Sequence, residues 1–381
     1  MDKTSNPQFS HKSMLSDLGV GSTFSKSLED IHALLKQKYP FIARVAIALY
    51  DKKSDLLKTF AYSSEDKTPL SQYESKLAGS ASLLEVIQHH SPRVVNDMSI
   101  YAHAKKQHSN TLAKVGFSAS YTYPMFYDGN FIGFIFFNSP QKDVFNERVL
   151  RDIDISSSLI TLMMVNLKST VKTLTATVKS AQTLTHHRDP ETGCHLERMS
   201  RYSRLIAQKL ASNFNFDDEF IEHIFLFSPL HDVGKIAISD SILLKPEPLT
   251  DQEFYEMRTH PQKGLEIIDN LILNFGLNGV KHIEVLRNIV YHHHELKDGS
   301  GYPENLKGND IPIEARIVTV ADIFDALTSK RPYKNKWTNE QAFAELTRLA
   351  NSQLDEDCVN ALLACLPEIE AVQSQFLESN S

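Results

Sequence analysis

Cysteine is scarce. Cys194, Cys358 and Cys365 are the three in 381 residues, and no two of them stand in a CxxC spacing. That excludes a disulfide framework and a thiolate zinc knuckle, and it fits a reducing compartment. Glycine is scarce as well, at 14 residues, about half the usual share of roughly 7%. Such a chain is a poor candidate for a turn-dense all-β protein and a good one for long helices. No apolar run approaches the roughly 18 residues that a membrane helix needs. The polar start Met1-Asp2-Lys3-Thr4-Ser5-Asn6 lacks the apolar core of a signal peptide. The expected location is therefore the cytoplasm, with no membrane partner. Positive charge is not in excess either, since the net charge is -7. DNA and RNA are excluded as broad electrostatic partners, and a phosphate-bearing ligand must be met by a local basic patch or by metal.

What is present is an ordinary folded composition, 41% hydrophobic and 23% charged, which argues against disorder. The length suggests about two domains. Residues 1–21 are polar and aperiodic and read as a flexible arm. Residues 22–150 read as an α+β domain. Arg44 to Tyr50 and Leu56 to Tyr62 form one expected hairpin across Asp51-Lys52-Lys53-Ser54-Asp55. Tyr121 to Tyr127 and Phe131 to Phe137 form another across Asp128-Gly129-Asn130. Helical patterns at Phe24 to Lys38 and Ala81 to His90 flank these strands. This layout resembles a GAF domain, a resemblance that implies a sensory role.

Residues 151–188 read as a connecting helix. Ile160, Met164, Leu167, Val171, Leu174, Val178 and Ala181 recur at alternating spacings of four and three. Val171 and Val178 fall at a, Leu167 and Leu174 at d, as in a two-stranded parallel coiled coil. The expectation is a homodimer through residues 160–181, set against one long amphipathic helix packed on its own domain. Residues 189–372 read as all-α, with capping boxes at Thr250-Asp251-Gln252-Glu253 and Thr338-Asn339-Glu340-Gln341. Residues 373–381 read as a loose tail.

The helical half carries the chemistry. His231-Asp232-Val233-Gly234-Lys235 sets an imidazole beside a carboxylate, and helical spacing would return Lys235 to the face of both. Glu191 and His195 are four apart, after an Asp189-Pro190 helix start. His260, the triple His292-His293-His294, and Asp322 inside the apolar run Ala315 to Leu327 follow. An acid within such a run is costly unless it is paired or bound to metal.

Together with Arg188-Asp189-Pro190-Glu191-Thr192-Gly193, Asp298-Gly299-Ser300-Gly301-Tyr302-Pro303 and Ala321-Asp322-Ile323-Phe324-Asp325-Ala326-Leu327-Thr328, these blocks resemble, in family order over about 185 to 370, the signatures of the HD-GYP family of the HD phosphohydrolase superfamily. The resemblance implies metal ligands at Glu191, His195, His231, Asp232, His260, His293, His294 and Asp322, with Glu191 the position associated with a third metal. It implies hydrolysis of cyclic di-GMP to pGpG and onward to GMP, with Asp232 and Lys235 catalytic. Substrate contacts would come from Lys235, from the loop Gly301-Tyr302-Pro303, and from Arg331 and Lys334 on the phosphates. The loop is also the implied site of contact with a diguanylate cyclase. Donors of nitrogen and oxygen without thiolate suit two or three divalent ions, iron or manganese above zinc.

Two other functions stand beside this one: a catalytically silent module that binds cyclic dinucleotides or a cyclase, and a hydrolase of another cyclic dinucleotide such as 3',3'-cyclic GMP-AMP. Among the remaining residues, His292 is expected at the surface or behind the ligands, and His186, His187 and His223 solvated or capping. Asp325 is expected either to orient a ligand or to pair with Arg331, and Cys194 to be a small packed side chain.

Overall fold

The computed structural model describes residues 23–64, 74–101, 116–184, 193–274, 282–329 and 336–376. The chain divides into two units, Met1–Met163 and Met164–Ser381.

In the first unit, apolar and β-branched runs separated by turn residues make antiparallel strands. They are β1 (Arg44–Asp51), β2 (Leu56–Ser64), β3 (Glu74–Lys76), β4 (Arg93–Val95), β5 (Ala119–Tyr127) and β6 (Asn130–Ser139). The sheet order is β3-β2-β1-β6-β5-β4, with every neighbour antiparallel. Both expected hairpins are present, and the second turns on Asp128 and Gly129, each with positive φ. Register puts Ala46 and Ala48 opposite Phe136 and Phe134. Phe134 and Phe136 join Leu57 and the Leu83 and Val86 side chains of α2 (Ala81–Gln88) in one cluster. On α1 (Phe24–Lys38), Thr23 caps the first turn and Phe24 packs edge-on against Phe60 at 5.2 Å. The long helix α3 (Glu147–Leu184) is tied to this unit through Asp152, which accepts from Tyr39, and Asp154, which accepts from Tyr121. The α+β expectation therefore holds.

In α3, Ile160 and Met164 are fully buried, whereas Ile155 and Leu162, seven residues apart, are 72% and 66% exposed. At its first two positions the heptad seam is thus covered within the single chain. The side chains of Val171, Leu174, Val178 and Ala181 lie outside the described residues.

The second unit is helical: α4 (Gly193–Phe214), α5 (Asp218–Phe227), α6 (Asp240–Leu243), α7 (Asp251–Met257), α8 (His260–Asn274), α9 (Ile283–His292), α10 (Ile313–Thr328), α11 (Asn339–Ala350), α12 (Glu356–Leu363) and α13 (Leu366–Gln375). Apolar residues at three- and four-residue spacing, such as Met199, Tyr202, Ile206 and Leu210 on α4, face one core with Ile317, Val320, Ala321 and Phe324 of α10. Phe324 meets Tyr202 edge-on at 5.1 Å and stacks on Phe343 at 5.5 Å. Both capping boxes form. The helical chain continues past residue 372, the expected start of a loose tail. α13 reaches Gln375, the Phe376 carbonyl accepts from Arg198, and the Phe376 ring lies 4.3 Å from the Arg201 guanidinium. Among the described residues no helix is long and apolar enough to cross a membrane.

Phe324→Ala is expected to remove about 3–5 kcal/mol from the stability of the helical unit, measured by urea unfolding of the full chain. A loss below about 1 kcal/mol would contradict the place given to Phe324 at the centre of this core.

Candidate metal centre

The motif His231 to Lys235 does not form an α-helix. His231 and Asp232 lie in a turn, and Val233–Ala237 is a 3-10 segment in which the Lys235 N–H donates to the Asp232 carbonyl at 3.0 Å. In that geometry residues i and i+3 eclipse, so Lys235 stands over Asp232, with Nζ 2.7 Å from Oδ2. Gly234 makes the turn possible at this place. A Cβ there would stand 1.8 Å from the His260 carbonyl oxygen, so only glycine lets the first turn of α8 pass this close and bring His260 to the site.

Asp232 is the meeting point. Its Oδ1 lies 3.1 Å from His260 Nε2 and 3.6 Å from His293 Nε2, and its Oδ2 lies 3.0 Å from His231 Nε2. Two groups of ligand-type atoms result: Asp232 with His260, His293 and His294, and His195 with His231 and Asp322. Within the second, His195 Nε2 is 3.8 Å from Asp322 Oδ1. Two donors about 2.1 Å from one ion at tetrahedral or octahedral angles stand about 3.0–3.4 Å apart. The 3.0 and 3.1 Å separations at Asp232 are of that size, and those of 3.6 and 3.8 Å exceed it by a few tenths of an ångström, so the donor set fits metal.

The histidines are aimed by their other nitrogen. His231 Nδ1 donates to the Ser228 carbonyl at 2.9 Å, His260 Nδ1 to Met257 at 2.9 Å, and His293 Nδ1 to Ile289 at 3.0 Å. His195 Nδ1 donates to the Asp325 carboxylate at 2.8 Å. Each bond fixes the tautomer that leaves Nε2 with its lone pair. Asp325 is fully buried and also takes both nitrogens of the Arg198 fork, at 2.7 and 2.9 Å. It therefore orients His195. Burial opposes its charge, but His195 and Arg198 hold its carboxyl below the usual range.

Electrostatics favour an ionised Asp232 and neutral imidazoles at His293 and His294. Burial disfavours charge on Asp232, yet Lys235 and His231 hold it well below the ordinary carboxylate range. Burial pushes His293 down, and burial with His293 beside it pushes His294 well down.

The loop Asp298 to Pro303 closes one side. A Cβ at Gly301 would meet the Leu296 nitrogen at 2.3 Å, and the Tyr302 N–H donates to the His294 carbonyl at 3.1 Å. Tyr302 stacks on His294 with ring centroids 4.7 Å apart, and the Arg258 guanidinium lies 4.4 Å from the same ring. The ring of this loop, which the resemblance implies as a substrate contact, is thus also engaged by protein partners. Glu295, 2% exposed, accepts from the Glu304 and Leu306 N–H groups and holds the far side of the loop.

Of the expected ligands, His195, His231, Asp232, His260, His293, His294 and Asp322 converge, with Lys235 beside them. Glu191, Arg331 and Lys334 lie outside the described residues. His292 is turned away toward Glu304, 3.9 Å off. Arg258, Glu295 and Arg198 are not marked by the motifs, although Arg258 precedes the ligand His260 by only two residues. His223 is neither solvated nor an ordinary cap. It is 1% exposed, and burial with His282 beside it pushes its imidazole down to about 4.

Residues 189–358 match the family described as HD domain. Over 190 residues the chain is 44% identical to the cyclic di-GMP phosphodiesterase response regulator RpfG of Xanthomonas campestris pv. campestris, covering 50% of this chain and 47% of that protein. Over 214 residues it is 38% identical to 3'3'-cGAMP-specific phosphodiesterase 2 of Vibrio cholerae serotype O1, covering 56% of this chain and 38% of that protein. The chain therefore spans less than half the length of these relatives. Among solved structures it is similar to a phycocyanobilin-bound GAF domain from a cyanobacterial phytochrome, with a TM-score of 0.32 and 15% identity over 38% of this chain and 82% of that one.

Asp325→Asn keeps the shape of the side chain and removes the charge that fixes His195. It is expected to weaken metal retention by about 10- to 100-fold in a chelator competition. Unchanged retention would remove His195 from the ligand set.

Proposed function

We propose that this chain, whose residues 189–358 make an HD domain, is a metal-dependent phosphodiesterase that opens cyclic di-GMP to pGpG and cleaves onward to GMP, under the control of its N-terminal GAF-like unit. One observation carries this reading: the Asp232 carboxylate turns one oxygen to His260 and His293 and the other to His231, with the Lys235 ammonium on the second.

Asp232 with His260, His293 and His294 would hold one divalent ion, and His195, His231 and Asp322 with Asp232 a second. Glu191 is the proposed ligand of a third. Iron or manganese suits this nitrogen and oxygen donor set. Such ions, when bound, supply Lewis-acid stabilisation of phosphoryl charge and lower the pKa of water.

The chain itself supplies position and protons. Lys235, held on Asp232 Oδ2, is placed to protonate the departing 3' oxygen as negative charge builds there. Asp325 and the backbone carbonyls behind His231, His260 and His293 keep four of the imidazoles in one tautomer, so little reorganisation is needed as charge develops. Arg258, beside Tyr302, puts a cation at the rim for a phosphate, and Arg331 and Lys334 are the further phosphate contacts we propose. The Gly301-Tyr302-Pro303 loop is the proposed contact for a diguanylate cyclase, and the part of 160–181 beyond the self-covered Ile160 and Met164 is the proposed homodimer seam.

A second substrate is set against cyclic di-GMP because the relative at 38% identity is named for 3'3'-cGAMP. The ligand set serves any 3',5' phosphodiester, and selectivity lies in the loops around it. The deciding experiment incubates the full chain, loaded with iron or manganese, with cyclic di-GMP and separates the products. Turnover is expected, falling by about 10²–10⁴-fold in Lys235→Ala and to background in Asp232→Ala. Wild-type turnover no greater than that of Asp232→Ala would overturn the enzyme, and binding without turnover would favour the silent module. Competition with 3',3'-cyclic GMP-AMP ranks the two substrates by kcat/KM.

The seam has its own test in sedimentation of the full chain at micromolar concentration. The expected dimer should shift toward monomer in Leu174→Asp, and a strictly monomeric wild type would remove the proposal.

A further inference from the structure

Away from Asp232, a third group of ligand-type side chains sits between the start of α5 and the cap of α9. Glu219, His223 and His282 each bring one such atom within 4.8 Å of the others. His282 Nε2 is 3.6 Å from Glu219 Oε1, and the two imidazole rings have centroids 4.7 Å apart. Glu219 is 2% exposed and His223 is 1% exposed.

Two features distinguish this group from a chance cluster. First, His223 is wired like the histidines around Asp232: its Nδ1 donates to the carbonyl four residues back, that of Glu219, at 2.6 Å. That bond selects the tautomer whose Nε2 is a lone-pair donor, the arrangement that orients a metal-binding imidazole. Second, His282 takes the left-handed backbone conformation, with φ 64, at the N-cap of α9. Histidine is one of the few non-glycine residues that adopt this conformation readily, and the turn fixes where its ring points. Here that place is against the His223 ring.

We propose that Glu219, His223 and His282 form a separate zinc site, with two imidazole nitrogens and one carboxylate oxygen as ligands and water completing a tetrahedron. Three nitrogen and oxygen ligands suit a four-coordinate ion that leaves one position to solvent, the geometry zinc takes, whereas the larger donor set at Asp232 suits the fuller shells of iron or manganese. His223 precedes His231 by eight residues along α5 and the turn after it, about 12 Å, so the site is distinct from the one at Asp232. Its position gives it a role. α5 leads through Ser228–Leu230 into His231 and Asp232, and α9 leads into His293 and His294. An ion at the starts of both helices clamps the two elements whose other ends carry ligands of the first centre.

The test uses the full chain, stripped of metal, titrated with zinc and freed of excess by gel filtration, with bound ions counted by mass spectrometry. His282→Ala is expected to retain about one ion per chain fewer than wild type and to lose part of the zinc-induced rise in Tm. Glu219→Gln, which keeps the shape of the side chain, should do the same, and Asp232→Ala should keep the ion that these two lose. Far-UV circular dichroism establishes that each variant is folded. Cobalt in place of zinc should give the visible bands of a four-coordinate ion in Asp232→Ala and not in Asp232→Ala combined with His282→Ala. Equal ion counts in wild type, His282→Ala and Glu219→Gln would overturn the site, as would cobalt spectra that do not respond to His282.

Discussion

The helical unit is organised around one costly act, the burial of the Asp232 carboxylate. A carboxylate 8% exposed among imidazoles survives only if its charge is answered on every side. Lys235 answers from the same turn, while His231, His260 and His293 turn nitrogen lone pairs toward the carboxylate from three directions, an arrangement that a shared cation would neutralise. Each of these demands has a backbone consequence. Lys235 over Asp232 needs the 3-10 turn rather than an α-helix. His260 at 3.1 Å needs α8 to pass against Gly234, where no Cβ fits. His293 and His294 need α9 to end there, and the loop that follows is pinned on Glu295. The local architecture is thus a set of solutions to one electrostatic problem, and the same solutions produce the converging lone pairs that metal would use.

How much of this was legible depended on range. Signals that act within a few residues were readable: both hairpins, the helix at Phe24 to Lys38 and the two capping boxes formed where turn chemistry and caps put them. The ligand residues were readable because their order resembles that of a known family. The partners that aim those ligands were legible only in part. The sequence marks Asp325 as an orienting residue or a partner of Arg331, but nothing in it ties Asp325 to His195, 130 residues away, and Glu295 looks like any other acid after a histidine run. The same holds for His223 and His282, 59 positions apart in numbering and joined only by the packing of α5 beside the start of α9. No local pattern announces such a pair. Burial, which made His223 chemically distinctive, is a property of the fold and not of its immediate neighbours in the chain.

The long helix shows the opposite limit. A period of seven specifies that a stripe of a helix is apolar, but not which surface covers it. Ile160 and Met164 are fully buried within the single chain, so the first part of the stripe is used without a partner. Ile155 and Leu162 are exposed and also seven residues apart. Periodicity alone does not choose between these faces, and the choice matters because a helix that spends its stripe on its own chain has less left for a second copy.

A last step concerns how geometry at Asp232 could be altered without touching it. Four of the ligand residues follow the ends of two short helices of ten residues each: His231 and Asp232 come after α5 and the turn Ser228–Leu230, and His293 and His294 come after α9. An α-helix resists stretching because each turn is closed by hydrogen bonds, so a displacement at one end is delivered largely undiminished to the other. Imidazole donors that must lie within a few tenths of an ångström of their positions around an ion are sensitive to displacements of that size. The separation of the two helix starts, where Glu219, His223 and His282 meet, is therefore a mechanical variable of the metal centre. Any ligand, ion or protonation that changes this separation changes the spacing of His231 and Asp232 from His293 and His294, and does so without altering a residue of the centre.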